Sequence, residues 1–294
     1  MDYYFEIAEH VLCIKSSYEL QDLFEVFPSS RNFYCKIAPS CELLFTLTID
    51  DNLDAVDEAL CHTIRTFDTG NGDTVVDKIN NDDYQFTIKD IYGETCARLL
   101  TGAQFTAYRC ELYGDFHKRC FGLNNVLMLA MAFAGSFKDT LLIHASTVQN
   151  GDYGYPFIAK SGTGKSTHVG LWLTHIPGSE LLNDDNPIIR IIDGEPFIYG
   201  SPWSGKTPCY RNRKAKLAAI TRIERADENR LDQLQTVQAF ASLLPSCSSM
   251  KWDEVIFDNI CNVVSKFIKL VPICTLHCRP DKAAAELSYQ MLKK

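Results

Sequence analysis

Residues 159–166 combine glycine, lysine and hydroxyl side chains at a spacing suited to binding phosphate. The segment is Ala-Lys-Ser-Gly-Thr-Gly-Lys-Ser, which follows the Gly-x4-Gly-Lys-Ser/Thr pattern except that Ala159 replaces the first glycine. Gly162 and Gly164 let the backbone turn its N–H groups toward phosphate oxygens. Lys165 adds a charge for the β- and γ-phosphates, and the Ser166 hydroxyl is placed to coordinate Mg²⁺. The alternative, a helix-start turn with a chance lysine, is disfavoured by the flanking elements.

Those flanking elements are a strand before the loop and a helix after it. The apolar run 155–159 predicts the strand. Apolar side chains at Val169, Trp172 and Leu173 predict one face of a short helix, and Pro177-Gly178 ends it. The N-terminal end of that helix is favourable for the same anion.

Two adjacent carboxylates follow the predicted helix. Asp184 and Asp185 come directly after the apolar pair Leu181-Leu182, so we expect them at the end of a strand beside the loop. One carboxylate can hold a metal ion, directly or through water, and its neighbour can accept a proton from an attacking group. The spacing therefore indicates a site for Mg²⁺ and ATP.

Two predicted hairpins flank this site. The strand 141–148 turns at Asn150-Gly151-Asp152 into the strand that enters the loop, and an Asp193-Gly194 turn joins the runs 187–192 and 196–199. Doubly wound nucleotide folds instead follow the loop strand with a helical crossover into a parallel neighbour. We therefore expect a mixed sheet with antiparallel hairpins beside the site.

The first part of the chain is β-rich, and its pattern shows no catalytic constellation. The predicted strands are 4–7, 11–14, 33–37, 43–49, 84–91, 94–100 and 104–112. A boundary near Gly114 separates this β-rich N-terminal region, 1–114, whose role is unassigned, from a second domain, 115–294. Further elements expected in the second domain are helices at 123–137, 234–244, 252–270 and 281–292 and strands at 217–223 and 273–277.

The composition argues against several classes of protein. The net charge of −8 argues against a general binder of nucleic acid or of acidic membranes. The 12 cysteines are scattered without a C-x-x-C pair, and the N-terminus lacks a signal-peptide pattern. The longest apolar run, 126–135, is too short to span a bilayer. We therefore expect a cytoplasmic protein with reduced thiols that binds neither nucleic acid nor membranes. Assembly into a homo-oligomer stays open.

A cluster of basic side chains follows the second hairpin: Lys206, Arg211, Arg213, Lys214 and Lys216. Lys206 and Arg211 are candidates for a clamp on the γ-phosphate, because arginine offers a forked pair of donors. Gly200 and Gly205 bracket a segment that suits a lid over a nucleotide. The alternative is a solvated loop, which we favour for the other three residues.

Three segments together resemble the phosphoenolpyruvate carboxykinase-like superfamily and, within it, the HPr kinase group. They are Ile143-His144-Ala145-Ser146, Ser161 to Thr167, and Leu182-Asn183-Asp184-Asp185. The resemblance covers about residues 140–220 and implies a barrel-like mixed sheet with helices packed on one side. Thr167 stands where HPr kinases tend to have glutamate, and the segment 200–206 is similar to HPr-kinase-related proteins of unassigned substrate.

The resemblance also implies roles for individual residues. His144 would lie close to the transferring phosphate or the acceptor, Asp184 and Ser166 would contact Mg²⁺, and Asp185 would act as the base. The expected catalytic residues are His144, Lys165, Asp184 and Asp185. The expected ATP-binding residues are Ser161, Gly162, Thr163, Gly164, Lys165, Ser166, Thr167, Lys206 and Arg211.

The expected activity is an ATP- and Mg²⁺-dependent transfer of phosphate to a hydroxyl group, with a Ser or Thr of a protein or peptide as acceptor. Two alternatives stay open. One is a kinase for a small hydroxylated metabolite, such as free serine or a sugar. The other is a nucleotide-sensing protein without catalysis.

Overall fold

A computed structural model describes residues 1–37, 40–68, 71–80 and 83–293. They belong to two compact units, Met1–Ala134 and Gly135–Lys294. Each unit contains one large mixed sheet together with helices. The chain is therefore a mixed α/β protein whose N-terminal part is β-rich, as the sequence predicts.

The described residues of the first unit form nine strands, two α-helices and two 3₁₀ turns at Pro28–Phe33 and Glu58–Leu60. Its strands and helices are β1 Asp2–Ile7, β2 His10–Lys15, α1 Leu20–Val26, β3 Tyr34–Cys35, β4 Leu43–Ile49, β5 Cys61–Asp68, β6 Asp73–Ile79, β7 Asp83–Lys89, β8 Thr95–Thr101, β9 Ala107–Leu112 and α2 Phe116–Ser136. The described strands form one sheet in the order β3-β1-β2-β4-β9-β8-β7-β6-β5.

The structure of this unit differs from the sequence prediction in one predicted strand and in three elements that were not predicted. The predicted strand 33–37 is wrong in most of its length, because Pro28 begins a 3₁₀ turn that continues through Phe33 and leaves a two-residue strand. The helix α1 and the strands β5 and β6 were not predicted. Strand β5 at the sheet edge is largely exposed on both faces, so its sequence lacks the alternation of apolar and polar side chains that marks a half-buried strand.

The helix α2 begins earlier than the predicted helix 123–137. A carboxylate oxygen of Asp115 accepts the N–H of Lys118 at 3.0 Å and caps the first turn. Most of α2 belongs to the first unit because it packs on that unit's sheet, where the Phe133 ring lies 5.5 Å from the ring of Phe86. The division between units consequently falls after Ala134 rather than near Gly114.

Gly122 lets α2 approach the sheet closely. A Cβ atom at this position would lie 2.6 Å from the carbonyl oxygen of Cys96. We expect Gly122→Ala to lower the free energy of unfolding by about 1–3 kcal/mol, because backbone must shift to admit one carbon. Gly170, inside a helix of the second unit, has open space around its Cβ position.

Gly170→Ala is the matched control, and we expect it to stabilise the protein by about 0.5–1 kcal/mol through helix propensity. Urea titration followed by far-ultraviolet circular dichroism measures both variants. Equal effects of the two substitutions would contradict the steric account.

Up to residue 293, the second unit contains ten strands, four α-helices and a 3₁₀ turn at Leu244–Ser246. Its strands and helices are β10 Thr140–Leu142, β11 Ala145–Asn150, β12 Tyr153–Ile158, α3 Lys165–His175, β13 Ser179–Asp185, β14 Ile188–Ile192, β15 Glu195–Tyr199, β16 Lys214–Leu217, β17 Ile220–Arg225, β18 Arg230–Gln233, α4 Thr236–Leu243, α5 Glu254–Leu270, β19 Ile273–Cys278 and α6 Lys282–Leu292.

The sheet of this unit is mixed, as the hairpins predict. Its main path runs β10-β14-β15-β16-β12-β17-β19-β18, and β11 pairs with both β12 and β13. The hairpins β11–β12 and β14–β15 are antiparallel. Strand β12 is parallel to β16 and β17, and β17 is parallel to β19. The strand that enters the loop therefore has a hairpin partner on one side and parallel partners on the other.

Two predicted strands are interrupted. The predicted strand 141–148 breaks at Ile143-His144, because β10 pairs with β14 whereas β11 pairs with β12 and β13. At the break the His144 N–H donates to the carbonyl oxygen of Ser246 at 2.7 Å, so the backbone stays hydrogen-bonded. The predicted strand 217–223 likewise divides into β16 and β17, which contact successive parts of β12.

Helices α3 and α6 cover the part of the sheet that carries the loop. Trp172 of α3 is fully buried and its ring lies 5.6 Å from that of Phe157 on β12. Ala284 and Ala285 of α6 lie in the same buried cluster. This packing holds the start of α3, and with it the end of the loop, against the sheet.

No helix among the described residues combines the length and the hydropathy that a membrane crossing requires.

Candidate functional site

The loop between β12 and α3 has a backbone that requires glycine at two positions. Gly162 has φ 75° and Gly164 has φ 130°, a region that residues with a Cβ rarely adopt. Nothing lies within 4 Å of a Cβ built at either position, so conformation rather than space demands glycine. Gly164 immediately precedes Lys165, the first residue of α3. The N-terminal end of α3, which carries the positive end of the helix dipole, therefore adjoins the loop.

Lys165, His144 and Asp185 form a connected row of side chains beside the loop. The Nζ of Lys165 lies 2.7 Å from Nε2 of His144 and donates to the carbonyl oxygen of Ala159 at 3.2 Å. The other ring nitrogen of His144, Nδ1, lies 3.0 Å from a carboxylate oxygen of Asp185. Because an ammonium group can only donate, we infer that Nε2 accepts and that the imidazole proton is on Nδ1, directed at Asp185.

The ammonium group of Lys165 is partly buried and therefore partly desolvated. Burial lowers the pKa of this ammonium below its ordinary value, and the negative charges of Asp185 and Asp184 raise it in part. An ammonium group that is poorly hydrated interacts more strongly with an incoming anion than one in bulk water.

Asp184 is buried and accepts hydrogen bonds from neutral donors. Its Oδ1 accepts from the hydroxyls of Ser146 at 2.8 Å and Ser166 at 3.1 Å, and its Oδ2 accepts from the N–H of Thr207 at 3.3 Å. A hydroxyl and a carboxylate oxygen thus lie together at the start of α3. This pair of oxygens is the kind of ligand that Mg²⁺ takes from proteins.

No group of three or more His, Cys, Asp or Glu side chains suited to holding a metal occurs in the described residues. A divalent cation at Asp184 and Ser166 would therefore complete its coordination with water and with oxygens of a bound ligand. Mg²⁺ commonly binds proteins in this way, through one or two carboxylates plus substrate phosphates.

The backbone at Asp185 is strained and is held by its neighbours. Asp185 has φ 129°, which costs about 1–3 kcal/mol for a residue other than glycine. The carbonyl oxygen of Asp184 accepts from the N–H of Gly205 and from the hydroxyl of Ser204, the latter at 3.1 Å. These bonds tie the acidic pair to the segment 204–207.

The buried side-chain amide of Asn183 fixes the same turn. Asn183 is fully buried, and its Nδ2 donates to the hydroxyl of Ser201 at 3.2 Å and to the carbonyl oxygen of Trp203 at 2.9 Å. Its Oδ1 accepts the N–H of Asn186 at 3.0 Å. The sequence pattern indicates no role for Asn183, Ser146 or Ser201, because their partners lie on strands and turns that pair only in the folded chain.

The two basic candidates are placed differently. Lys206 is exposed on the turn that contacts Asp184. Arg211 instead forms an ion pair with Glu180 at 2.8 Å, and Arg213 shares the same carboxylate oxygen. Glu180 precedes Asp184 by four residues on β13, about 13 Å along a strand. The structure therefore brings Lys206 toward the acidic pair and holds Arg211 away from it.

Arg225 was missed by sequence analysis and contacts the loop directly. Its Nε donates to the carbonyl oxygen of Thr163 at 2.9 Å and its Nη2 to that of Gly162 at 2.6 Å. In a planar peptide the N–H points opposite to the C=O, so these bonds direct the N–H of Gly164 away from Arg225. The residue lies 62 positions after Thr163, and only the pairing of β12 with β17 brings it close.

A cavity of about 380 Å³ opens beside the loop on the side of β17 and β19. Its walls come from the first turns of α3 and from the residues that end those two strands. The lining residues are Thr163, Gly164, Thr167, His168, Leu171, Ile223, Arg225, Ala226, Cys278, Arg279 and Pro280. Ser161, which was predicted to bind nucleotide, is exposed in the loop and is not among them.

His168 is a buried residue of α3 that forms part of the cavity wall. Its Nε2 lies 3.1 Å from the hydroxyl of Ser288 and accepts from the indole N–H of Trp172 at 3.2 Å. Burial lowers the pKa of His168 from 6.5 to about 4. The folded protein therefore keeps this imidazole neutral in a pH range where an unfolded chain would protonate it.

We expect His168 to make the second unit less stable as the pH falls from 6.5 to 4. The unfolded chain binds a proton in this window that the folded chain does not, so about 3 kcal/mol of stability is lost. His168→Gln removes the titration and should flatten the pH dependence. Urea titration followed by tryptophan fluorescence measures it, because all three tryptophans, Trp172, Trp203 and Trp252, lie in this unit. Parallel stability curves for the two proteins would contradict the assignment.

Comparison of the chain with models of known protein families and with curated proteins gives no match.

Proposed function

We propose that the chain is an ATP- and Mg²⁺-dependent phosphotransferase that acts on a hydroxyl group, with a Ser or Thr of a protein or peptide as acceptor. The observation that carries the proposal is the convergence of a row of three side chains and a pair of side chains at one glycine loop. Lys165 contacts His144, which contacts Asp185. Ser166 contacts Asp184.

The proposal assigns each of these groups a part in phosphoryl transfer. Lys165 and the N–H groups of the loop bind the β- and γ-phosphates, and Ser166 with Asp184 holds Mg²⁺. Asp185, whose carboxylate is held by the Nδ1–H of His144, takes the proton of the acceptor hydroxyl while the hydroxyl oxygen bonds to the γ-phosphorus and ADP leaves. Such a reaction depends mainly on positioning and on neutralising charge, which is what the fixed loop and the buried carboxylate offer.

The resemblance to the HPr kinase group implies the same order of parts, with a histidine strand, the loop and then the acidic pair. The hairpin β11–β12 and the strand β13 carry these parts side by side, since Ala145 pairs with both Ile158 and Asp185. We accordingly propose the phosphoenolpyruvate carboxykinase-like architecture for this unit.

Transfer of label from γ-labelled ATP tests the proposal. The purified chain is incubated with Mg²⁺, labelled ATP and, in separate reactions, pooled serine- and threonine-containing peptides or small hydroxylated compounds such as serine and sugars. Label in peptides that disappears when Mg²⁺ is chelated supports the protein or peptide acceptor. Label only in small compounds supports a metabolite kinase. Tight binding of ATP without transfer to any acceptor supports a nucleotide sensor and contradicts the proposed catalysis.

A further inference from the structure

We infer that the cavity beside the loop is the subsite for the nucleoside of the triphosphate. The inference rests on the proposed function, because it assigns the part of the ligand that the loop itself does not hold. The nucleoside would therefore lie on the opposite side of β12 from Asp184 and Ser146.

The position of the cavity follows from the sheet. Strands β12, β17 and β19 are parallel neighbours, so their carboxyl ends meet at one edge, where open α/β sheets bind ligands. The loop follows β12, Ala226 follows β17, and Arg279 with Pro280 follows β19. Strand β13, which carries Asp184, is reached on the other side of β12 through β11. The metal and the nucleoside would thus lie on different sides of the loop strand.

The cavity is continuous with the loop. Thr163 and Gly164 belong to the loop and also line the cavity. Arg225 lines the cavity while its guanidinium holds the carbonyl oxygens of Gly162 and Thr163. A ligand whose phosphates lie on the loop therefore extends into the cavity without crossing another element.

The lining suits a nucleoside in chemistry and in size. Leu171, Ile223 and Pro280 offer apolar surface for a flat base, and Arg279 supplies a guanidinium that can stack on its face. None of the described lining residues is acidic, and the nearby carboxylate of Asp281 is paired with the guanidinium of Arg279 at 3.1 Å. A volume of about 380 Å³ falls within the range of small-molecule pockets, about 300–1,000 Å³.

Filling the cavity tests the inference without touching the loop or the acidic pair. Ala226→Phe fills it from the strand side, and Leu171→Trp fills it from the helix side. Ala283→Phe is the matched control, because Ala283 is exposed on α6 and does not line the cavity. Thermal unfolding of each variant verifies that it is folded.

The probes are Mg²⁺ with a non-hydrolysable ATP analogue and Mg²⁺ with inorganic tripolyphosphate, both measured by calorimetry. We expect the unmodified protein and Ala283→Phe to bind the analogue at least about tenfold more tightly than tripolyphosphate. We expect Ala226→Phe and Leu171→Trp to lose this difference while their affinity for tripolyphosphate stays unchanged.

Two failures are distinguishable. If both filled variants bind the analogue as the unmodified protein does, or if that protein does not prefer the analogue to tripolyphosphate, the cavity is not the nucleoside subsite and the kinase proposal is unaffected. If the unmodified protein binds neither probe, the proposed function itself is overturned.

Discussion

Lys165→Ala is expected to lower kcat/KM for ATP-dependent transfer by about 100- to 1,000-fold or more, the loss seen when one preorganised donor to the reacting group is removed. The substitution removes the charge that the proposal directs at the β- and γ-phosphates. It also removes the partner of His144 Nε2, so the histidine loses a contact that orients it. Steady-state kinetics with the acceptor found by label transfer measures the effect.

Lys160→Ala is the matched control for this substitution. Lys160 stands at the start of the same loop and is exposed, so its truncation removes an equal charge at a position outside the proposed site. We expect near-normal kinetics in this variant. If Lys165→Ala also turns over normally, the loop does not hold the reacting phosphates and the kinase proposal is wrong.

The parts of the site that are close in sequence could be predicted, and those that depend on distant pairing could not. The loop, its strand and its helix lie between residues 153 and 175, and glycine, lysine and apolar spacing within that span indicate their conformation. The hairpin β11–β12 is marked by its Asn150-Gly151 turn. The role of these residues in binding nucleotide stays a prediction.

The partners of Asp184 show what the sequence pattern could not supply. Ser146 contacts this carboxylate because residue 146 pairs with residue 184 across β11 and β13. Nothing near Ser146 in the sequence distinguishes it from an ordinary strand hydroxyl. The break at His144 is hidden for the same reason, since it depends on Ser246 and Cys247, which arrive from a turn about a hundred residues later.

The acidic pair consists of two residues with different surroundings, although the sequence presents them as equals. Asp184 is buried and receives three hydrogen bonds, whereas Asp185 is about one-third exposed and faces His144. The Asp184 carboxylate is fixed by hydrogen bonds within the site. The Asp185 carboxylate lies beside the imidazole of His144. This difference leads to a separation of roles that can be measured.

We expect Asp185→Asn to lower kcat for transfer by about 100- to 10,000-fold, the range that a positioned acid or base contributes, while the affinity for Mg²⁺ and ATP stays nearly unchanged. Asparagine accommodates positive φ better than most residues, so the strained turn survives. It keeps a polar atom near His144 Nδ1 but is too weakly basic to take the proton that the acceptor hydroxyl loses. Calorimetric nucleotide binding and single-turnover transfer, measured on the same preparation, separate the two quantities.

Asp184→Asn is the companion variant, because the substitution is the same and the residue is adjacent. We expect it to weaken Mg²⁺-dependent binding of ATP, since the carboxylate that lies 3.1 Å from the Ser166 hydroxyl loses the charge that a divalent cation requires. Transfer should then recover in part as Mg²⁺ is raised, whereas the defect of Asp185→Asn should not respond to the metal. The same metal response in both variants would show that the two carboxylates share one role, and it would remove Asp185 as the base.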